Sequence, residues 1–399
     1  MNVLRPILAQ ACLAAALVGS PQSTSAQQKE GFDPQAIFTI MAEKEKAETL
    51  AREEKHEEAV LAAENVLAVL KDTYGEEHID VMDWQGSLGN YYLAAGNFEK
   101  ALPTFEAVRD AFLKKGMTDD IGYLEALSSI ARCHLELADY DKAAEIQQQC
   151  LTAVKERNPP SPDLVGLHAS RMGMTYWQMG DRAKALPHYI TSLESYAKIH
   201  GDQHSQTAIS RNNLGTLYME LGKYDEALPL LEKSLEVTEP ALGFSHPNTI
   251  HVFNNLGELY YKRGDYVLAL ATFQRSLMAT EQQYGPDSAE TAAVLNHLGR
   301  VQSKLDHIDQ ATALFGRSYD ILQSKLGNDR SLDPKVLGLL GGAYHGLGQA
   351  DDAEIYYKRS LASYEEQRGA KHPYTREARE RLAEFYNYLG RFDDAASLQ

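Results

Sequence analysis

Every 42 residues the same pair returns along this chain: Leu88-Gly89, Ile130-Ala131, Met172-Gly173, Leu214-Gly215, Leu256-Gly257, Leu298-Gly299, Leu340-Gly341 and Leu382-Ala383. Thirteen residues after each bulky first member stands an alanine: Ala101, Ala143, Ala185, Ala227, Ala269, Ala311, Ala353 and Ala395. Ala59 continues that series backwards. In six units a tyrosine follows the first member by four residues (Tyr92, Tyr176, Tyr218, Tyr260, Tyr344, Tyr386) and a glycine by eight (Gly96, Gly180, Gly222, Gly264, Gly348, Gly390). A fixed period of this length marks stacked supersecondary units, none of which can bury its apolar face alone.

Each unit reads as two helices. Leu214, Leu217, Tyr218 and Leu221 recur at three and four residues, one face of a helix that Gly222 ends. A second helix opens at Tyr224-Asp225-Glu226, whose acids suit an N-terminal dipole, and continues through Ala227, Leu228, Leu230, Leu231 and Leu235. Gly215 and Ala227 are small where the two helices come closest. Pro187 and Pro229 are expected within about the first turn of their helices, where a missing N–H costs nothing. A loop glycine recurs after the second helix (Gly75, Gly201, Gly243, Gly285, Gly327, Gly369), and His246-Pro247 and His372-Pro373 restart the next one.

These residues resemble the tetratricopeptide repeat. The run Asn212-Asn213-Leu214-Gly215-Thr216-Leu217-Tyr218, then Gly222-Lys223-Tyr224-Asp225-Glu226-Ala227, then Leu242-Gly243-Phe244-Ser245-His246-Pro247 is similar to the 42-residue repeats of kinesin light chains and their bacterial relatives. The resemblance implies an all-α, right-handed superhelical solenoid of about nine helix pairs. The expected boundaries are a signal peptide at 1–26, a linker at 27–39, a degenerate N-terminal repeat at 40–80, and eight repeats at 81–399 with the last cut short. No heptad coiled coil precedes the repeats, so a motor role is not implied. His134 stands where tyrosine is usual, and Asn158-Pro159-Pro160-Ser161-Pro162 replaces the glycine and histidine loop, so a proline-forced helix boundary and a bend are expected there. The array is also expected to end early in its last second helix, without a polar capping helix.

Composition narrows the partners. Lys plus Arg is 39 against 56 Asp plus Glu, and the formal net charge of −17 repels nucleic-acid phosphates and anionic membranes. Arg5, an apolar stretch from Ile7 to Gly19 and the small, polar Ser20 to Ala26 read as a secretory signal, with cleavage expected after Ala26 and an exported, periplasmic or secreted product. No span is expected in the mature chain. Cys12 falls in the discarded segment. Cys133 and Cys150 remain, and they permit one disulfide that a core of this size does not depend on.

The first helices of such repeats line a concave channel, and the resemblance implies that an extended or helical peptide binds there. With Leu214 as the seventh residue of its unit, positions 2, 5, 9, 12 and 13 form the channel face. Position 5 supplies Asn212, Asn254 and Asn296, and position 6 adds Asn213 and Asn255. An amide both donates and accepts, so it reads peptide main chain without regard to side chain. The alternative role for these amides is bonding between neighbouring helices. Position 12 supplies Trp177, Met219 and Tyr261, which are either an anchoring pocket or ordinary packing. Arg171, Lys262 and Arg300, with Arg132, face Glu220 and Glu258, and on an acidic chain this mixture favours a neutral or basic peptide.

No phosphate-cradling glycine loop, His-Glu-x-x-His, Cys-x-x-Cys or nucleophile elbow occurs, so no catalytic residue, metal site or cofactor is expected. His78, His204, His246 and His372 share one loop position but lie a unit or more apart, which fits helix-start capping rather than a metal. The reading is therefore an exported scaffold that binds a protein or peptide of unknown identity. The alternative is an assembly subunit that self-associates through its array ends.

Overall fold

The computed structural model describes residues 34–53, 55–157, 161–326, 333–370 and 372–398. Among them are 18 helices in nine consecutive pairs and no strand. In chain order they are α1 (Pro34–Arg52), α2 (His56–Tyr74), α3 (Ile79–Ala94), α4 (Phe98–Lys114), α5 (Ile121–Glu136), α6 (Tyr140–Glu156), α7 (Pro162–Met179), α8 (Arg182–His200) and α9 (Ser205–Glu220). They continue as α10 (Tyr224–Leu242), α11 (Pro247–Arg263), α12 (Tyr266–Tyr284), α13 (Ala289–Lys304), α14 (Ile308–Leu326), α15 (Pro334–Gly346), α16 (Ala350–Arg368), α17 (Pro373–Tyr388) and α18 (Phe392–Ala396). The expected signal segment 1–26 and the proline boundary at 158–160 lie outside the described residues. α1 begins at Pro34, inside the segment expected as linker, because it forms a full helix that packs on α2.

Two compact units divide the chain, one ending at Cys133 and the other beginning at His134. In the first, Trp84 on α3 donates its indole N–H to Ala63 O on α2 at 2.9 Å, and Tyr92 donates to Glu64 Oε1 at 2.5 Å. The same tyrosine position in the second unit serves the same purpose: Tyr260 reaches Glu232 at 2.9 Å and Tyr386 reaches Glu354 at 3.0 Å. The recurring tyrosine thus ties a first helix to the second helix of the preceding pair. Cys133 and Cys150 are both buried.

The pair α11 and α12 shows how the pattern makes a unit. His246 holds an extended backbone and its Nδ1 accepts the Asn248 N–H at 3.1 Å, while Pro247 occupies the first helical position. His78, His204 and His372 cap α3, α9 and α17 in the same way. α11 then buries Ile250, Phe253, Leu256, Leu259 and Tyr260 on one side and stops at Gly264, whose φ of +84° a side chain would resist. A Cβ on Gly257 would stand 2.8 Å from the ring of Phe273, sixteen residues on, and Phe273 is fully buried. The small residue therefore admits a ring from the partner helix. Burial of such a ring contributes roughly 1.5–3 kcal/mol.

One detail differs from the sequence reading. Pro187 and Pro229 stand at the sixth residue of α8 and α10, past the first turn, so each removes one intrahelical bond. The position filled by glycine between paired helices is occupied by Ala138 and Asp306 in two units, at φ of 58° and 59°.

Candidate functional site

First helices of successive pairs pack on one another, α9 on α11 and α13 on α15, so they form the closely spaced inner side of the second unit's curve. Charges act across that side. The pKa of His251 on α11 is lowered first by burial and then by Lys335 on α15. That of His297 on α13 is lowered by burial, then by Arg300 and by Arg381 on α17.

A cavity of about 280 Å³ opens on α7, α9 and α11. Trp177 and Met174 on α7, Ile209, Asn212, Asn213 and Thr216 on α9, and Asn248, His251, Val252 and Asn255 on α11 form its wall, with Tyr189 of α8 beneath. Ile209, His251, Met174, Thr216, Asn212 and Trp177 occupy positions 2, 9, 5 and 12, the face derived from helical spacing. His251 is the one wall group that can titrate near neutral pH, and its pKa is lowered by desolvation and then by Lys335; no acid, lysine or arginine lines the cavity.

The amides differ from one another. Asn255 donates its Nδ2–H to Asn212 Oδ1 at 2.9 Å, bridging α11 to α9, which leaves Asn212 Nδ2 and Asn255 Oδ1 uncommitted. Asn213 is half-buried on the wall, and its side-chain amide makes no hydrogen bond within the described residues. Asn254 lies elsewhere: its Oδ1 accepts from the buried Ser276 hydroxyl of α12 at 2.6 Å. Asn296 is buried and donates to Leu339 O on α15 at 3.1 Å. For these last two the inter-helix role prevails over the channel.

The position-12 series also divides. Trp177 donates Nε1–H to Glu220 Oε2 at 2.8 Å, and Arg182 binds the same oxygen at 2.9 Å with its guanidinium 5.4 Å from the indole. This fixes the indole plane at the cavity mouth. Met219 is a core residue, packed with Leu231, Leu256, Leu259 and Leu298, since a flexible thioether fills the gap between pairs. Tyr261 is half-buried, with the Arg300 guanidinium 4.5 Å from its ring. Glu258 lies among Lys262 at 3.8 Å, His297 at 3.8 Å and Arg300 at 3.5 Å, a cluster beside the cavity rather than on its wall. Arg171 is absent from the wall too, and its charge acts on Cys150, His168 and Tyr196. A second groove, of about 460 Å³, lies on α15, α16 and α17, with Lys335, Arg368 and Arg381 against Asp333 and Glu377.

Spacing alone missed a buried serine ladder with the same period. Ser234, Ser318 and Ser360 donate to Ala208 O, Ala292 O and Pro334 O at 2.7, 2.9 and 2.7 Å, and Ser192 and Ser276 occupy the equivalent places. Their period could have been found, but a small polar residue carries no apolar signal.

Stacked helix pairs with a neutral, amide-lined inner cavity define a helical-repeat scaffold. The chain belongs to the tetratricopeptide repeat family, whose model matches residues 38–114, 80–156, 165–239, 210–282, 248–324 and 334–399. Among curated proteins none matches. The fold is similar to the crystal structure of BtubC (BKLC) from P. vanneervenii, at 23% identity and TM-score 0.51 over 63% of this chain and 95% of that one. It is also similar to the apo quorum sensor NprR from B. thuringiensis, at 15% identity and TM-score 0.55 over 91% and 96% of the two chains. The apo form of RapI matches at 17% identity and TM-score 0.54 over 71% and 97%. At these identities the likeness concerns the fold.

Proposed function

We propose that this protein is an exported, non-enzymatic scaffold that binds an extended, uncharged peptide segment in the cavity on α7, α9 and α11. The observation that carries the reading is the Asn213 side-chain amide, which lines that cavity with neither donor nor acceptor used among the described residues. Beside it, Asn212 Nδ2 and Asn255 Oδ1 offer another donor and acceptor, and Trp177 supplies an apolar plate. Amides at this spacing suit the alternating N–H and C=O groups of a main chain, and a neutral wall favours neutral side chains.

The test is selection of a displayed random peptide library on the full chain, followed by binding of the winning peptide to Asn213→Ala and to the Asn213→Ala/Asn255→Ala pair. Binding should weaken about tenfold or more in the pair, as expected for loss of two or three hydrogen bonds, while the helical circular dichroism is unchanged. Equal binding by wild type and the pair refutes the site. Export is checked by intact mass after bacterial expression: a chain starting at Gln27 supports it, and one retaining residues 1–26 refutes it. A second reading, self-association through the last pair, rests on Tyr388 and Phe392, which are 72% and 67% exposed. Light scattering across concentration decides it, since a constant monomer mass removes it.

A further inference from the structure

The second unit is tied to itself across most of its length. Arg376, at the start of α17, donates to Met179 O at 2.9 Å and to Gln178 O at 2.5 Å, the last carbonyls of α7. A helix leaves its final carbonyls without internal donors and carries partial negative charge there. The turn after α7 supplies Gly180 N–H and Asp181 N–H to Trp177 O and Tyr176 O, and Arg182 adds a bond to Trp177 O. The two carbonyls that remain are the ones Arg376 takes. Arg368, at the end of α16, pairs with Glu136 in the last turn of α5 at 2.5 Å.

Two further signs show that this junction is close-packed. Among the described glycines with positive φ, only at Gly180 would a Cβ meet a neighbour, the Arg376 guanidinium. Of the four capping histidines, only His372 is fully buried, at 3% exposure, with Glu136 4.0 Å from its Nε2.

We propose that Arg376 and Arg368 form a charge latch that closes residues 134–399 into a ring, with α7 and α17 as its two lips. Arg376 and Arg368 hold the junction by charge-assisted hydrogen bonds and an ion pair to Glu136, so it loosens with ionic strength while the pair-to-pair packing stays intact. Trp177 adjoins the latched carbonyls and lines the cavity, so opening the latch exposes the cavity mouth. This last step rests on the peptide reading above.

The deciding experiment measures the lip-to-lip distance in the full chain, with spin labels on Lys184→Cys and Glu380→Cys, both exposed, against the buried Cys133 and Cys150. Wild type should give one narrow distribution. Arg376→Ala/Arg368→Ala, or about 1 M salt, where screening acts within ~3 Å, should lengthen and broaden it. Should the double variant lose helix content, Glu136→Gln decides by the same criterion, since it leaves the last pair untouched. A wild-type distribution that is already broad, or one that neither salt nor variant moves, overturns the latch. For the selected peptide, Arg376→Ala should raise the association rate about tenfold if the open form is about a tenth of the wild type. An unchanged rate with a moved distance refutes only the coupling to binding; absence of any peptide binding refutes the site reading and leaves the distance result standing.

Discussion

Whether a glycine in a helix costs or contributes stability here depends on what lies sixteen residues further on, and one pair of substitutions isolates the effect. Gly299 on α13 and Gly316 on α14 are both helical, and replacing either by alanine should gain about 0.8–1.0 kcal/mol from helix propensity. At Gly316 the new Cβ meets nothing within 4 Å, so that gain should appear in full. At Gly299 it would stand 2.7 Å from two ring atoms of Phe315, which is 3% exposed and has no open side to move to. Overpacking of this kind costs typically 1–3 kcal/mol. The propensity gain cancels in the comparison, so the two variants should differ by about 1–3 kcal/mol, or roughly 1–5 °C in melting temperature for a chain of this size. Parallel thermal melts followed by circular dichroism at one scan rate give the difference directly. A Gly299→Ala protein as stable as Gly316→Ala would show that the small residue is not there to admit the ring.

Other outcomes follow from local geometry. Ala138→Gly and Asp306→Gly should each stabilise by about 0.5–1 kcal/mol, since a left-handed L-residue is strained by about 1–2 kcal/mol and glycine gives part of that back in unfolded-state entropy; a fall in the urea midpoint refutes this. His168 is 2% exposed and its pKa is pushed down to about 4, by burial first and then by Arg171. Its folded form stays neutral while the unfolded form titrates near 6.5, so the stability is complete above 6.5 and is lost as pH falls toward 4. The loss amounts to about 3 kcal/mol at the acid end. His168→Leu should therefore shrink the drop in urea midpoint between about pH 7.5 and about pH 4.5, and equal drops would refute the assignment. Asn213→Ala should leave the melting temperature unchanged or slightly raised, because no internal bond is lost, whereas Asn255→Ala should cost about 1 kcal/mol with its link to Asn212; a destabilised Asn213→Ala would mean that this amide is structural.

The period of the sequence makes the helix pairs legible because each mark has a local cause: Gly264 for a left-handed turn, Gly257 for the Phe273 ring, His246 for the first N–H groups. The channel face is legible for the same reason, since Ile209, Asn212 and Thr216 share a helix stripe and the wall of one cavity. What spacing does not resolve is how equal positions diverge. Asn212 and Asn254 hold the same place in their units, yet one accepts from the next first helix and the other from its own second helix. The choice turns on the side chains that happen to face each amide, Asn255 in one case and Ser276 in the other. Trp177 and Met219 diverge by shape: the thioether folds into the core, while the indole is held at the rim by Glu220. Arg376 is beyond any periodic reading, because its partners lie 197 and 198 residues away and meet it only through the curvature accumulated over several pairs.

The charge of the chain and the neutrality of its cavity act at different ranges. A net charge of −17 sets the potential through which a partner approaches, and that potential falls off over about 8 Å in physiological salt. Inside, the amides of Asn212, Asn213 and Asn255 act only at hydrogen-bond distance and carry no net charge. A partner with basic residues flanking an uncharged stretch would use both, the flanks for encounter and the stretch for residence. Its association rate should then fall with salt while its dissociation rate changes little, because electrostatic steering acts on encounter and contacts at the site set release. The latch works in the opposite sense, since salt that screens the encounter also loosens Arg376 and Arg368 from their partners. A salt titration of the association rate should therefore fall less steeply in wild type than in Arg376→Ala, where the latch is already open and only the screening remains.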